Sequence, residues 1–188
     1  LAQLKETNQD VAYMNHPHGT GIVKESYWVD TKLLLDCWHQ KLLQEHQLIY
    51  EQFNYDQLDL DTNIYTSSNS TLEFDKVIFC EGYHGLENPF FNYLPLQATK
   101  GELLTVRNEY LPENESLNYK CFVLPVGNKT IKVGATYKWD SPNVELTEEA
   151  RVELEGHAQN LIRSEFSVLN HEAGVRPTVL DRRPLVGQ

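Results

Sequence analysis

The chain has 188 residues, and its 40% hydrophobic and 11% aromatic side chains are enough to bury the core of a globular protein. Its formal net charge of −11 argues against binding to nucleic acid or to an acidic membrane, because both partners need a basic surface. No apolar run approaches the ~20 residues that span a bilayer. We therefore expect neither nucleic-acid binding nor membrane insertion.

Cysteine usage favours a reducing compartment. Cys37, Cys80 and Cys121 are odd in number, lie far apart and form no C-x-x-C pair. We therefore predict a cytoplasmic location. The segment HPHGTG, residues 16–21, places two histidines close together, but no Cys or His follows at ligand spacing, so no metal site is predicted.

One helix dominates the predicted first third of the chain. It runs from Thr31 to His46, and Asp30 or Thr31 can cap it. Its apolar stripe consists of Leu34, Trp38 and Leu42. Short strands are predicted around it over Ile22–Val29, over Leu48–Phe53 and, as a meander, within Leu58–Phe74.

The stretch FDKVIFCEGYHG, residues 74–85, contains the continuous apolar run Val77–Cys80. Such a run is typical of a strand that is buried on both faces of an α/β sheet. Gly82 follows the run, and a glycine there lets the backbone turn sharply or approach a ligand closely. The stretch therefore predicts a buried strand that ends beside a ligand.

A β-hairpin is the clearest predicted element. Tyr119–Val126 and Lys129–Tyr137 are two strand-like runs, and Gly127-Asn128 between them forms a two-residue loop. In the predicted register, Phe122 lies opposite Val133 and Leu124 lies opposite Ile131. These four residues are then expected to share the apolar side of the hairpin.

The other elements of the second half complete the predicted fold. Strands are expected over Leu96–Val106 and Phe166–Val175, and a helix that Thr147 caps extends to about Ser164. The buried face of that helix is predicted to be Ala150, Leu154, Ala158, Leu161 and Ile162. The fold class is α+β: a mostly antiparallel or mixed sheet domain with helices, plus an incomplete α/β portion with a β-meander.

Several stretches, in this order, resemble the flavin-dependent D-amino-acid oxidase superfamily and, within it, the glycine oxidase and sarcosine oxidase branch. They are YWVDTKLLLDCWHQKLL, FDKVIFCEG, KGELLTV with IKVGATY, and AGVRPTVLDRRPLVGQ. The last is similar to the family run G-x-R-P-x-x-x-D-x-x-P-x-x-G. The family's G-x-G-x-x-G loop, which holds the FAD pyrophosphate, does not occur in these residues. The resemblance thus implies a fragment that lacks the N-terminal dinucleotide-binding unit and the C-terminal part.

The resemblance also implies a division of the chain. Residues 1–29 and 92–183 are expected to form the substrate-binding domain, and residues 30–91 part of the FAD-binding domain. Residues 184–188 begin the return into the FAD-binding domain. We expect FAD to be bound by the parent protein and not retained by this fragment, which should be inactive in isolation.

The implied reaction is the oxidation of an amine or amino acid by hydride transfer to FAD. Arg176 matches the family's carboxylate-binding arginine, whose planar fork suits a carboxylate; the alternative is a structural salt bridge at a strand end. Phe122 stands where glycine oxidases place a tyrosine whose hydroxyl also contacts the carboxylate. Its lack of a hydroxyl implies a larger or more apolar substrate than glycine, unless Phe122 is simply a core residue. Lys120 is assigned to the same pocket, with an exposed lysine as the alternative.

Gly82, Glu81 and Gly187 are assigned to the cofactor in the parent protein, and the alternative for the glycines is two ordinary turns. Asp181 is expected to fix the turn before Pro184, and no residue is assigned a catalytic role. The alternative functions are a 2-hydroxy-acid dehydrogenase or tRNA-modifying oxidoreductase of the same superfamily, and a non-enzymatic carboxylate-binding module. The oligomeric state stays open.

Overall fold

The computed structural model describes residues 5–7, 11–17 and 19–186. The chain divides into two compact units, Leu1–Asn8 with Thr20–Ile78 and Gln9–Gly19 with Phe79–Gln188. The predicted assignment of 1–29 and 92–183 to a substrate-binding domain and of 30–91 to a FAD-binding domain concerns roles, and it stays a prediction.

Helix α1, Thr31–Gln44, forms in the first unit as its sequence predicts. The side chain of Asp30 caps it by accepting a hydrogen bond from the backbone N–H of Leu33 at 3.0 Å. No residue of the helix is buried, so the predicted apolar stripe faces no core within the described residues. Its exposed large apolar side chains are Leu33, Leu34, Leu35, Trp38 and Leu43.

The strands of the first unit are short and antiparallel. They are β1 Lys5–Thr7, β2 Thr20–Ile22, β3 Leu58–Asp59, β4 Ile64–Thr66 and β5 Thr71–Glu73. β1 pairs with β2, and β3, β4 and β5 form a three-stranded sheet, which confirms the predicted meander. Tyr65 is buried and stacks on Phe53 with 4.5 Å between ring centroids. The predicted strand over Leu48–Phe53 does not form, and that over Ile22–Val29 is limited to the end of β2.

The prediction of a buried strand over Val77–Cys80 is wrong. This segment has no regular secondary structure, and Ile78 is 83% exposed. A strand persists only where a neighbouring strand pairs with its backbone N–H and C=O groups, and within the part of the chain that is described none pairs with this run. Only Phe79 finds aromatic neighbours, Phe90 and Phe91, at 5.9 Å and 5.8 Å between centroids.

The second unit is built on a five-stranded antiparallel sheet, which confirms the α+β class. Its strands are β6 Gln97–Arg107, β7 Leu117–Asn118, β8 Phe122–Gly127, β9 Thr130–Gly134 and β10 Ser167–Thr178. Their order is β10-β6-β9-β8-β7. The long strands β6 and β10 are therefore direct neighbours, and they bring residues far apart in the sequence into register.

Helix α2, Glu148–Leu161, covers one face of this sheet. Thr147 caps it by accepting a hydrogen bond from Ala150 N–H at 3.4 Å. The buried side chains of the helix region are Ala150, Leu154, Ala158, Leu161 and Ile162, which confirms the predicted apolar face. All of these except Ala150 belong to one core cluster with Leu104, Val106, Val123, Ile131 and Val133 of the sheet.

The predicted hairpin forms, but its predicted register is wrong by one residue. Asn128 and Lys129, not Gly127 and Asn128, are the loop residues; both have positive φ, 53° and 58°, as a type I′ turn requires. Gly127 at φ 94° adds an irregularity to β8. The observed pairs are Phe122 with Gly134, Val123 with Val133, Leu124 with Lys132, and Pro125 with Ile131. Phe122 and Leu124 therefore face away from α2.

A buried ion pair joins β6 to the start of α2. Lys100 is 2% exposed and Glu102 is 1% exposed, and Lys100 Nζ lies 3.0 Å from Glu102 Oε1. Glu102 also accepts hydrogen bonds from the backbone N–H of Thr147 at 2.9 Å and from its hydroxyl at 2.8 Å. His171 Nε2 lies 3.0 Å from Glu102 Oε2. All of these partners belong to the fold itself, so the Glu102 carboxylate has a structural role.

Candidate functional site

The face of the five-stranded sheet opposite α2 carries two of the predicted site residues. Side chains alternate along a strand, so Thr99, Gly101 and Leu103 of β6 share this face. Arg176 of β10 pairs with Thr99. Gly134 of β9 pairs with Leu103 on one side and with Phe122 of β8 on the other, so Phe122 lies on the same face. The structure therefore places Arg176 and Phe122 on the same side of one sheet.

Gly101 forms the floor beneath Arg176. A Cβ atom at residue 101 would lie 2.7 Å from Cζ and 2.9 Å from Nη1 of Arg176, so only glycine leaves room for the guanidinium there. The half-buried Arg176 has no carboxylate within salt-bridge distance among the described residues. The observed contact of its guanidinium is the ring of Tyr137, 5.6 Å from Cζ to the ring centroid. Hydrogen-bonding capacity thus remains available on Arg176.

Gly134 makes the corresponding space for Phe122. A Cβ atom at residue 134 would lie 2.9 Å from Leu103 Cβ and 3.0 Å from Phe122 Cζ. Gly134 of β9 pairs with Leu103, which is two residues from Gly101 on β6, so the two glycines are offset by ~6–7 Å along the strands and by one strand spacing of ~4.8 Å across them. The guanidinium and the phenyl ring thus occupy neighbouring positions on one face.

Lys120 lies apart from these contacts. It is exposed in the tight connection between β7 and β8, where Tyr119 N–H donates to the carbonyl of Cys121 at 3.0 Å. Its assignment to the pocket stays a prediction.

Sequence reasoning missed Tyr137, on this face, and Arg182, an exposed residue after β10 whose guanidinium contacts the Tyr137 ring. Arg182 Cζ is 4.4 Å from the centroid of the Tyr137 ring, and Trp139 meets the same ring edge-on at 4.9 Å. Tyr137 stands in the stretch IKVGATY, but no residue spacing within that stretch distinguishes it. Asp181 behaves as predicted, since its carboxylate accepts a hydrogen bond from Arg183 N–H at 3.0 Å and fixes the turn.

The residues assigned to the cofactor form a separate group. Gly82 has φ 59° and no atom within 4 Å of the position of a Cβ, so a ligand can approach its backbone. Glu81 accepts a hydrogen bond from Asn88 Nδ2 at 2.7 Å, and Gly187 lies outside the described residues. Gly82 begins a short 3-10 helix, Gly82–Leu86, but in the described ranges no glycine-rich turn precedes α1 or α2, and the carboxylate of Glu81 beside Gly82 repels phosphate. These residues alone therefore do not fit the FAD pyrophosphate.

Two further findings concern metals and membranes. Among the residues with described positions, no group of three or more His, Cys, Asp or Glu side chains could hold a metal ion. His16 Nε2 instead accepts a hydrogen bond from Val11 N–H at 3.1 Å. No helix in the described part of the chain combines the length and the apolar character that crossing a membrane requires.

Comparison with known proteins identifies the family to which this chain belongs. The family model FAD dependent oxidoreductase (DAO) matches residues 2–188. The glycine oxidase from Geobacillus kaustophilus superposes with a TM-score of 0.57 at 19% identity, over 66% of this chain and 35% of that protein. The glycine oxidase from Bacillus cereus ATCC 14579 gives 0.60 at 20% identity, over 74% and 42%. This chain thus spans less than half the length of either glycine oxidase, and it belongs to the FAD dependent oxidoreductase (DAO) family.

Proposed function

We propose that this chain is the substrate-binding domain and part of the flavin domain of a FAD-dependent oxidoreductase that oxidises an amine or an amino acid. Membership of the family supports the flavin chemistry. The observation that carries the substrate class is the guanidinium of Arg176, which lies over Gly101 and has no carboxylate partner in the described ranges. A substrate carboxylate completes that arrangement.

The side chains have distinct tasks in this proposal. FAD, when bound by the whole protein, would supply the acceptor for the hydride that leaves the carbon bearing nitrogen. Arg176 binds the substrate carboxylate through its planar fork and so fixes the position of the neighbouring carbon. Phe122 offers an apolar wall without a hydroxyl, which favours a substrate larger or more apolar than glycine. Lys120 is assigned to the rim of the site, and Glu81 and Gly82 to the flavin side.

The full-length protein that contains these residues tests this function directly. We expect it to bind FAD, and its flavin absorption to bleach when an amino acid or secondary amine is added without oxygen. A matched panel of 2-hydroxy acids should leave the flavin oxidised. Bleaching by hydroxy acids alone would favour the dehydrogenase alternative, and a protein that takes up no FAD would contradict the proposal.

Gly101→Ala tests the floor of the site. The new Cβ would overlap the guanidinium, which is the mobile end of a side chain, so the fold should persist while Arg176 moves. We expect the KM for a carboxylate-bearing substrate to rise about tenfold, which corresponds to ~1.4 kcal/mol of binding free energy. Steady-state kinetics of the full-length protein measure this effect.

Gly174→Ala is the matched control, because Gly174 pairs with Gly101 across the two strands and nothing lies within 4 Å of its Cβ position. We expect that variant to keep the KM of the parent protein. Equal increases in KM for the two variants would show that the substitutions disturb the sheet and do not act through the position of the Arg176 guanidinium.

A further inference from the structure

Tyr137 stands beside Gly101, in the segment that follows β9. Beyond the end of β9 the chain continues along β6: Thr136 N–H donates to the carbonyl of Glu102 at 3.1 Å. The backbone N–H groups of Lys100 and Lys138 each donate to the carbonyl of the other residue at 2.9 Å. This pairing places the side chain of Tyr137 on the face opposite α2, where the guanidinium of Arg176 also lies.

The hydroxyl of Tyr137 is buried and has no hydrogen-bond partner in the described part of the chain. Its ring is held between other groups, with Trp139 at 4.9 Å and Arg182 at 4.4 Å. A buried hydroxyl that makes no hydrogen bond costs free energy, and such groups require a physical account. A ligand that accepts a hydrogen bond from the hydroxyl removes this cost.

Three donor groups lie at or beside this ring, and none of them has an acidic partner among the residues that the structure describes. They are the guanidinium groups of Arg176 and Arg182 and the Tyr137 hydroxyl. Arg182 is exposed, whereas Arg176 is half-buried, so the charge on Arg176 is the less solvated of the two. A carboxylate neutralises that charge, and its two oxygens can accept from the guanidinium fork and from a hydroxyl together.

We propose that the Tyr137 hydroxyl donates a hydrogen bond to the same substrate carboxylate that Arg176 binds. This inference rests on the proposed function and adds to it a second carboxylate-binding residue. Tyr137 then supplies the hydroxyl that the side chain of Phe122 lacks. It does so from the segment that follows β9, whereas Phe122 lies on β8. The site therefore recognises an acid group with one charged fork and one neutral donor.

Tyr137→Phe in the full-length protein is the test, with propionate as ligand and propionamide as its neutral counterpart. Calorimetric titration gives the Kd of each. We expect the substitution to raise the Kd for propionate about tenfold, the effect of one lost hydrogen bond to a charged group, and to leave that for propionamide unchanged. The melting temperature should not fall, because the lost hydroxyl has no protein partner. Tyr119→Phe, at a side chain 65% exposed, is the control and should change neither Kd.

Arg176→Lys in the same titration separates the two proposals. If it weakens propionate binding while Tyr137→Phe does not, the role of Tyr137 is overturned and the carboxylate site stands. If neither substitution alters the Kd, or if the unmodified protein binds propionate no better than propionamide, both ideas fail.

Discussion

Arg176→Ala is expected to raise the KM of the full-length protein for a carboxylate-bearing substrate about a hundredfold. Removing one member of a partly desolvated, hydrogen-bonded charge pair costs roughly 2–5 kcal/mol, and each 1.4 kcal/mol is a factor of ten in affinity. Arg176→Lys keeps the charge but loses the planar fork, so an intermediate increase is expected. Steady-state kinetics with an amino acid and with the corresponding amine lacking the carboxylate measure both effects. The KM for the simple amine should not change.

Arg183→Ala is the matched control for this experiment. Arg183 is exposed in the turn that Asp181 fixes, and it carries the same charge at a nearby position in the chain. A general loss of positive charge would affect both variants equally. If Arg183→Ala raised the KM as much as Arg176→Ala, or if the simple amine lost affinity as well, a specific carboxylate contact at Arg176 would be refuted.

Glu102→Leu is expected to destabilise the protein by about 3–5 kcal/mol, because it leaves the ammonium group of Lys100 buried without its partner. The N–H and hydroxyl of Thr147 lose their acceptor in the same variant. Lys100→Met combined with Glu102→Leu should recover most of the loss, since an apolar pair of similar volume avoids an unpaired buried charge. Denaturant unfolding measures the free energies. A double variant as unstable as Glu102→Leu would refute this explanation.

Glu102 also makes a pH dependence predictable. Burial tends to raise the pKa of this carboxyl, but hydrogen bonds from Thr147 and the pairing with Lys100 outweigh it and hold the pKa below its ordinary value. The folded state therefore releases this proton at lower pH than the unfolded state. The stabilisation is complete above the ordinary pKa of a glutamate, about 4.3, and is lost as the pH falls through the lower folded value. Glu102→Gln should show a shallower loss of stability on acidification over that range.

Secondary structure was predictable where local chemistry decides it. The period of the apolar residues and the capping threonine predict α2, since its buried face needs only one sheet to cover it. The same reasoning fails at Val77–Cys80, because an apolar run indicates burial but does not provide the neighbouring strand that pairs with its backbone. The hairpin shows a third case: its position was predictable, but its register depended on which two residues adopt positive φ.

The candidate site shows the same division. Sequence by itself determined the α+β class, the resemblance to the family that the chain belongs to, and Arg176 as the carboxylate-binding candidate, because helical and strand periods and short motifs are local. Only the tertiary structure decided that Gly101 lies beneath the guanidinium and that Tyr137 stands beside it. Those contacts join three separate segments, and they depend on the register between neighbouring strands. A shift of one residue would turn each side chain to the other face of the sheet.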